Sequence, residues 1–396
     1  MPVYLDYNAT TPVDSHVLEA MLPYFTKQFG NASSRLHTFG WIASEAVEFA
    51  REQVAILINA SPEEIIFTSG STEGCNLVLK GVFEQYKAKG NHIITVATEH
   101  QAVLDTCRHI EKLGGEISYL PVDQKGLIDL NELERAIRPS TILISVMYAN
   151  NETGVINPMK TIGEIARKHR VLFFADATQA IGKISVDVEQ DGIDMLALSA
   201  HKIYGPKGVG AVYKRRKNPR VNLVAQMDGG GHERGFRSGT LNVPGIVGLG
   251  KACAIGFSEM KENETRIRHL RDRLENGLLQ IPHTYLNGGN ENRLFNTSNI
   301  SFEYVDANSL IAAINKNIAV SAGSACTSAK SEPSHVLLAM GIKEQLAKTA
   351  IRFSLGKCTT MEEITYTIDQ IILAVEQLRS FNPESALGFF GMMKNQ

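Results

Sequence analysis

The chain contains 396 residues, which is more than one hydrophobic core usually supports, so two domains are expected. Its 43% hydrophobic and 21% charged residues are ordinary for a globular protein, and no apolar run approaches the roughly 20 residues of a membrane span. The net charge of −2 argues against binding to nucleic acid or to an anionic membrane surface. The N-terminus has no basic region ahead of an apolar stretch, which argues against a secretory signal, so we expect a cytoplasmic protein.

Short apolar runs alternate with helical periodicity from about residue 15 to residue 260. The runs that indicate strands are, in chain order, EEIIFTSG, NHIITVATEH, TILISVMYANN, VLFFADATQ, DMLALSAHK and GVGAVYKR, and MKTIGEIARKH indicates a helix between the third and the fourth. Apolar strands separated by helices are typical of βαβ units. The sequence therefore predicts an α/β domain with a largely parallel, buried sheet.

The pattern changes after residue 258. EMKENETRIRHLRDRLENGLLQI is predicted to be a long charged helix that bridges two bodies. Strands follow in NTSNISFEYV, around Val320 and in KTAIRFSLG, with helices in ANSLIAAINKN and from near Thr360 onward. This mixture predicts a smaller α+β domain. We expect a large domain over residues 15–258 and a small domain over residues 1–14 and 259–396, with a ligand site in the cleft between them.

Asp176 ends one predicted strand, and Lys202 follows the next strand. Pyridoxal phosphate chemistry needs such a pair: a lysine that forms a Schiff base with the cofactor aldehyde, and a carboxylate that keeps the pyridine nitrogen protonated. Each residue also has an ordinary explanation, because a lysine beside a Gly-Pro turn is commonly solvated and an aspartate at a strand end commonly caps a helix.

Other predicted strand ends carry groups that suit the same cofactor. A helix that starts after FTSG offers hydroxyl and backbone N–H groups to a phosphate. An imidazole at a further strand end could stack on a flat ring and carry protons. The candidates at these ends are Ser71, Thr72, His100, Asn151, Gln179, Ser199 and His201. Their recurrence at separate strand ends makes a structural coincidence a poor explanation.

Together these segments resemble the cysteine desulfurases of the NifS/IscS kind, which are fold-type I pyridoxal phosphate enzymes. The resemblance covers nearly the whole chain and is carried by YLDYNATTP, GNASSRLHTFG, FTSGSTE, TEHQAVLDTC, NNETG, DATQ, SAHKIYGPKGVGA, GGGHERGFRSGT, SAGSACTSA and IRFSLGKCTT. The housekeeping IscS branch is the most similar, because the loop after SAGSAC is long and contains EPSHVL. The resemblance implies a mostly parallel seven-stranded sheet with a smaller α+β domain, pyridoxal 5′-phosphate as cofactor, L-cysteine as substrate, no resident metal, and a homodimer.

The resemblance also implies a role for each candidate residue. Lys202 would be the Schiff-base lysine, and His100 would stack on the cofactor ring and move protons. Asp176 would pair with the pyridine nitrogen, and Gln179 would contact the ring phenolate oxygen. The phosphate would be held by Ser71, Thr72, Ser199 and His201, with Thr240 of a second subunit. Asn151, beside the cofactor, and Arg352 would bind the substrate carboxylate. A planar guanidinium is a natural partner for a carboxylate.

Cys326 lies among Ser, Ala, Gly and Thr residues in a loop that we place at about residues 321–334. A flexible loop suits a nucleophile that must reach a substrate and then carry cargo away. As a thiolate, Cys326 would attack the substrate sulfur and become a persulfide while L-alanine leaves. A free thiol has a pKa of about 8.5, so a base is needed, and His100 is the candidate. Cys326 could also transiently ligate a cluster on a partner.

The other four cysteines are interpreted as small buried hydrophobes: Cys75, Cys107, Cys253 and Cys358. An odd number of scattered cysteines without CxxC argues against disulfides and zinc. Cys75 stands where relatives often have an acidic residue, and we expect it to point into its own helix with little consequence.

Several alternatives remain open at the level of sequence. The same apparatus could serve a selenocysteine lyase or a serine–pyruvate-type aminotransferase, and a non-catalytic sulfur-transfer scaffold would need no Schiff base. The sulfur acceptor could be an iron–sulfur scaffold protein, a tRNA-thiolation relay or a nitrogenase maturation factor. MDGGGHERGFRSGT lacks the spacing of a nucleotide-binding loop and is interpreted as a loop that crosses a dimer interface.

Overall fold

The computed structural model of the protein describes residues 2–289, 291–322 and 332–382. In this part of the chain the strands are β1 (Val3–Tyr4), β2 (Ile65–Thr68), β3 (His92–Val96), β4 (Glu116–Leu120), β5 (Thr141–Ser145), β6 (Leu172–Asp176), β7 (Met195–Ser199), β8 (Gly210–Lys214), β9 (Thr284–Leu286), β10 (Thr297–Phe302), β11 (Ile318–Ala319), β12 (Ser321–Ala322) and β13 (Ala350–Ser354).

The α-helices of the same ranges are α1 (Ser15–Met21), α2 (Pro23–Thr26), α3 (Thr38–Leu57), α4 (Ser71–Tyr86), α5 (Gln101–Lys112), α6 (Leu130–Ala136), α7 (Met159–His169), α8 (Val243–Leu278), α9 (Ala307–Ile314), α10 (His335–Ala339), α11 (Glu344–Ala347) and α12 (Met361–Ser380). Short 3₁₀ turns occupy Pro62–Glu64, Ala200–Lys202 and Glu233–Gly235. None of these helices is long and apolar enough to cross a lipid bilayer.

A seven-stranded sheet forms the centre of the larger part, with the strand order β2-β8-β7-β6-β5-β3-β4. Strand β8 runs antiparallel to both of its neighbours, and every other neighbouring pair is parallel. The other six strands therefore share one direction, and their carboxyl ends lie along one edge of the sheet. The predicted α/β class with a mostly parallel seven-stranded sheet is confirmed.

Both faces of this sheet are covered, which explains why its strands are continuous apolar runs. Phe173 and Ala175 pack on one face in a core that includes α3, α7 and the first half of α8. Phe174, which points the other way, packs in a core with α4 and α5. Strand β4 was not predicted because it is the edge strand, and its half-exposed EISYL sequence lacks an apolar run.

A second, antiparallel sheet has the order β12-β13-β10-β9 and packs its own core against α9, α12 and the second half of α8. Strand β1 pairs in parallel with β11, and Leu5 is buried in this second core. The start of the chain thus packs with the later residues, in the manner expected of a discontinuous small domain. The boundaries at residues 14 and 258 stay a prediction, since α8 runs without a break through residue 258.

Candidate active site

The parallel strands carry the predicted residues to one edge of the large sheet, where ligand sites of α/β proteins form. His100 precedes α5 after β3, Asn151 follows β5, and Ser71 is the first residue of α4 after β2. Asp176 and Ser199 are the last residues of β6 and β7. The predicted residues on this edge are Ser71, Thr72, His100, Asn151, Asp176, Gln179, Ser199, His201 and Lys202.

The amine of Lys202 is held by the first residues of the chain. Its Nζ donates to the carbonyl oxygens of Asn8 (2.6 Å) and Ala9 (2.8 Å). Asn8 is only 1% exposed, and its backbone N–H donates to Ser354 Oγ over 2.9 Å. The segment after β1 therefore connects the second sheet to the strand end that carries Lys202.

Asn8 is the centre of a buried polar network that sequence analysis did not assign. Its Nδ2 donates to Thr297 Oγ1 (2.9 Å) and to the carbonyl of Asn151 (3.1 Å). Its Oδ1 accepts from Asn296 Nδ2 (3.2 Å) and from Lys183 Nζ (3.3 Å). The motif YLDYNATTP contains Asn8, but nothing local in that motif specifies partners this far along the chain.

Gln179 joins the same network. Its Nε2 donates to the Asn8 carbonyl over 3.0 Å, and its Oε1 accepts from Lys183 Nζ over 2.7 Å. Burial lowers the pKa of Lys183 to about 7, and the positive charges of Lys202 and Arg352 lower it further. Lys183 was also missed by sequence analysis, although its position four residues after Gln179 is a signal that could have found it.

Asp176 accepts hydrogen bonds at both carboxylate oxygens. Oδ1 accepts from the backbone N–H (3.0 Å) and the hydroxyl (2.5 Å) of Thr178. Oδ2 accepts from Cys75 Sγ over 3.8 Å. Burial, together with the charge of Asp176, raises the pKa of the Cys75 thiol well above its usual value, so the thiol stays protonated and donates. Our expectation that Cys75 points into its own helix was wrong, because its side chain contacts the carboxylate.

Glu99, one residue before His100, is fully buried. Burial, and then the charge of Asp176, raise its carboxyl pKa well above the ordinary range. Its Oε1 accepts from the Met147 backbone N–H, and its Oε2 has no hydrogen-bond partner among the described residues. Its surroundings thus favour the protonated form of the carboxyl group, and sequence analysis did not identify this residue.

His100 caps α5 through its ring. The Nδ1 atom accepts from the Ala102 backbone N–H over 3.1 Å, so the proton of the neutral ring is on Nε2. This hydrogen bond occupies Nδ1 and leaves Nε2 as the ring nitrogen that can face a ligand at this edge. The expected role of His100 as the base for Cys326 stays a prediction.

The N-terminus of α4 is arranged to receive an anion. Gly70, the residue before the helix, has φ of +154°, and a Cβ atom there would lie 3.7 Å from Ser199 Oγ. No side chain of residues 2–289 caps this helix at Gly70, so its first N–H groups and positive dipole face the strand ends. Burial lowers the pKa of His201 to about 4, so its ring, whose Nδ1 lies 3.2 Å from Thr10 Oγ1, is neutral at pH 7.

These groups fit pyridoxal phosphate. A lysine amine, a carboxylate with hydrogen-bond support, an imidazole and an open helix N-terminus meet at one sheet edge, and Gly70 leaves space beside Ser199 that a side chain would fill. Lys202 would hold the cofactor, Asp176 would face its pyridine nitrogen, and the start of α4 would hold its phosphate.

Arg352 approaches this edge from β13 and is only 5% exposed. Its NH2 donates to Asp6 Oδ1 over 2.7 Å, and its NH1 donates to the Asn151 carbonyl over 3.2 Å. Its Nε is buried without a hydrogen-bond partner in the described ranges. The guanidinium is thus beside the site, with a carboxylate of the protein on one arm.

Comparison with known proteins identifies the family. The sequence matches the family Aminotransferase class-V over residues 3–366. A curated relative, the cysteine desulfurase IscS of Anaeromyxobacter dehalogenans (strain 2CP-C), is 55% identical over 384 residues, which cover 97% of this chain and 95% of the relative. The chain belongs to the class-V aminotransferase family, and within it to the cysteine desulfurases. The family resemblance read from the sequence is confirmed, and the cofactor is pyridoxal 5′-phosphate.

Solved structures of similar proteins agree with this placement among the cysteine desulfurases. A NifS-like protein superposes with a TM-score of 0.89 at 39% identity, covering 95% of this chain and all of the other. A structure described as SspA in complex with cysteine superposes with a TM-score of 0.79 at 37% identity, covering 89% of this chain and 98% of the other.

The glycine-rich loop of this desulfurase-family chain is anchored by a buried ion pair. Glu233 accepts both guanidinium arms of Arg51 at 2.8 Å and the Phe67 backbone N–H at 2.7 Å. Arg237 in the same loop pairs with Glu73 of α4. Thr240, beyond these anchors, is exposed, and its contribution to a second subunit's site stays a prediction.

Cys326 lies outside the described residues. The chain is described again from residue 332, where Ser334 Oγ donates to Glu152 Oε2 over 2.5 Å and caps α10. The neighbouring His335 donates from Nε2 to the Glu99 carbonyl over 3.0 Å. The segment after Cys326 is therefore anchored beside the strand end that carries His100.

The structure also tests the interpretation of the other cysteines. Cys75, Cys107 and Cys253 are buried, as predicted. Cys358 is exposed, so its interpretation as a buried residue was wrong. It follows β13 in a turn, where the apolar run of the strand has already ended.

Proposed function

We propose that this protein is a cysteine desulfurase that converts L-cysteine to L-alanine and retains the sulfur on Cys326 as a persulfide. One observation carries the proposal: Lys202, Asp176 and His100 follow strands that end on one edge of the sheet, and the segment after Cys326 is anchored at the same edge through Ser334. A nucleophilic thiol is what distinguishes this reaction from transamination.

The bound pyridoxal phosphate supplies an electron sink that stabilises negative charge at the substrate Cα. Thr178 donates two hydrogen bonds to Asp176 Oδ1, which hold this side chain in the position where it would face the cofactor's pyridine nitrogen. Lys202 holds the proton removed from Cα on its Nζ, whose two carbonyl partners keep the amine at a defined position.

Arg352 receives the substrate carboxylate. The incoming carboxylate replaces Asp6 on one arm of the guanidinium, while the bond from the other arm to the Asn151 carbonyl keeps the planar group in place. Burial strengthens this recognition, since the charge has little contact with water.

Sulfur transfer then needs one nucleophile and one acid. The Cys326 thiolate attacks the substrate sulfur, an S–S bond forms, and the C–S bond breaks with its electron pair moving to the substrate carbon. That carbon takes up a proton, which balances the proton lost by the Cys326 thiol, and we propose His100, at the same sheet edge, as its carrier. Lys202 returns the proton that it holds to Cα. Cysteine and the Cys326 thiol thus become alanine and a Cys326 persulfide, with the carbon reduced and the sulfurs oxidised.

The persulfide is passed on to a protein acceptor. We propose that iron–sulfur cluster assembly is the main destination, with tRNA thiolation as a second, and that Cys326 transiently ligates a cluster on its partner. The 55% identity with a relative named IscS supports this role. A cytoplasmic location remains part of the same proposal.

A homodimer completes the proposal. Large apolar side chains are exposed near the start of the chain, among them Phe29 (64%), Leu36 (93%) and Trp41 (56%). Exposure of several large apolar side chains within a short stretch of sequence favours their burial against a second copy. In the dimer, Thr240 would reach the phosphate of the neighbouring site.

The test uses two cysteine variants of the holoenzyme. Cys326→Ala should retain the bound cofactor and lose both alanine release from L-cysteine and persulfide formation. Cys358→Ala removes an exposed cysteine and should keep both activities. Sustained alanine release by Cys326→Ala would refute the assignment, and amino-group transfer to a keto acid would indicate an aminotransferase. Faster turnover of selenocysteine than of cysteine would indicate a selenocysteine lyase.

A further inference from the structure

Lys183 carries a buried amine that the mechanism above does not use. It is 9% exposed and lies in the turns after β6, four residues beyond Gln179. Among the described residues no carboxylate lies within ion-pair distance of its Nζ. A lysine in such a place is costly, because a charge removed from water without a counter-ion destabilises the fold.

The hydrogen bonds of Lys183 link it to the catalytic lysine through two residues. Its Nζ donates to Gln179 Oε1 (2.7 Å) and to Asn8 Oδ1 (3.3 Å). Gln179 Nε2 donates to the Asn8 carbonyl (3.0 Å), and Lys202 Nζ donates to that same carbonyl (2.6 Å). Gln179 and Lys202 therefore share the Asn8 carbonyl as an acceptor, and Lys183 is linked to that carbonyl through Gln179.

The chemistry of an amide determines what Lys183 does in this network. Lys183 Nζ donates a hydrogen bond to Gln179, so the amide atom of Gln179 that faces it must be the oxygen. The Gln179 amide N–H₂ must then face the other way, toward the Asn8 carbonyl and the Lys202 amine. Rotating the amide by half a turn loses both of these hydrogen bonds, whereas without Lys183 it would lose only the bond to the Asn8 carbonyl. Lys183 therefore opposes a rotation that would present an acceptor where the site needs a donor.

We propose that Lys183 is a positioning residue that fixes the amide orientation of Gln179, so that a donor faces the cofactor bound at Lys202. This inference rests on the proposed function, because it assigns Gln179 to the cofactor. The lowered pKa of Lys183 agrees with a group retained for its hydrogen bonds at the expense of its charge.

Lys183→Met separates positioning from folding. Methionine has a similar length and no donor, and Lys183 lines a cavity of about 40 Å³ beside Tyr204 and Phe295, which leaves room for the thioether. Since a buried charge is removed, the variant should unfold at the temperature of the wild type or above it. A purely structural role would instead lower that temperature.

The readouts are the absorption spectrum of the bound cofactor and the kinetic constants. Lys183→Met should bind pyridoxal phosphate, shift the pH at which its visible band titrates, and lower kcat about tenfold with KM for L-cysteine changed less than about threefold. Lys183→Gln retains a hydrogen-bond donor, so its cofactor spectrum and its kcat should lie between those of Lys183→Met and the wild type. Lys112→Met, at an exposed lysine of α5, is the matched control and should resemble the wild type.

A double variant tests whether Lys183 acts through Gln179. If it does, Lys183→Met should add little to the effect of Gln179→Ala, since the amide is already gone. Full additivity, an unchanged spectrum in Lys183→Met, or a lowered unfolding temperature would each overturn the inference. A wild type that releases no alanine would overturn the proposed function, whereas the spectral comparison would still decide the role of Lys183.

Discussion

The pH dependence of stability should change in a defined way when Glu152 is replaced. Glu152 is 5% exposed, and burial raises its pKa to about 7, although the Ser334 hydrogen bond and the charge of Arg352 oppose the rise. Glu152→Gln retains the shape of the side chain and an oxygen that can accept from Ser334. It removes the ionisation, so the variant isolates the cost of burying this one charge.

The sign and size of the effect follow from the two pKa values. In the folded protein Glu152 binds its proton more tightly than in the unfolded chain, where the ordinary value of 4.5 applies. The folded state therefore holds the extra proton between pH 4.5 and about 7, and stability from this group is lost as pH rises through that window. At about 1.4 kcal/mol for each tenfold change in proton affinity, the full loss is about 3 kcal/mol.

The assay is equilibrium unfolding in urea at pH 5 and pH 8 with saturating cofactor. The change in the free energy of unfolding between the two pH values is measured for wild type and for Glu152→Gln, and their difference cancels the groups that both proteins share. We expect the wild type to lose about 2 to 3 kcal/mol more than the variant. Glu262→Gln, at an exposed position of α8, should behave as the wild type does. Parallel pH curves for wild type and Glu152→Gln would refute the reasoning.

Three further predictions concern the anchors of the site. Glu233→Gln should lower the free energy of unfolding by about 3 kcal/mol in urea titrations, because it leaves the guanidinium of Arg51, whose side chain is 4% exposed, without its bidentate partner; a loss below about 0.5 kcal/mol would contradict this. Asp6→Asn should lower KM for L-cysteine about threefold with kcat nearly unchanged, since the substrate carboxylate no longer competes with Asp6 for Arg352; an increased KM would show that Asp6 instead orients the guanidinium. Cys326→Ser should keep the cofactor spectrum yet form no persulfide, as mass measurement of the intact protein will show, because a hydroxyl is too weak a nucleophile toward sulfur.

Several elements followed directly from local patterns. The helix MKTIGEIARKH is α7 at Met159–His169, and the apolar run VLFFADATQ contains β6, which ends at Asp176. Edge strands were harder to predict: β4 is half exposed and lacks an apolar run, and β9 is only three residues long. The helix predicted from residue 259 starts at Val243, because its first half is buried in the large core while its second half packs in the small one.

The sequence by itself determined the fold class and the kinds of group at the sheet edge. Apolar strands and the polar residues that follow them are patterns within a few consecutive residues. These patterns can be recognised without knowing which strands become neighbours in the sheet. Parallel strands then carry Asp176, His100 and Lys202 to the same edge, so these residues could be predicted from sequence.

Only the tertiary structure decided which groups those residues contact. Asn8 meets Lys202 across 194 positions of the chain, and Asp6 meets Arg352 across 346. Such pairs depend on how the N-terminal segment crosses from the second sheet to the first, and no local periodicity encodes that path. Burial is likewise decided by the tertiary structure. The pKa of Lys183 is lowered by atoms that surround it in space and are distant from it in sequence.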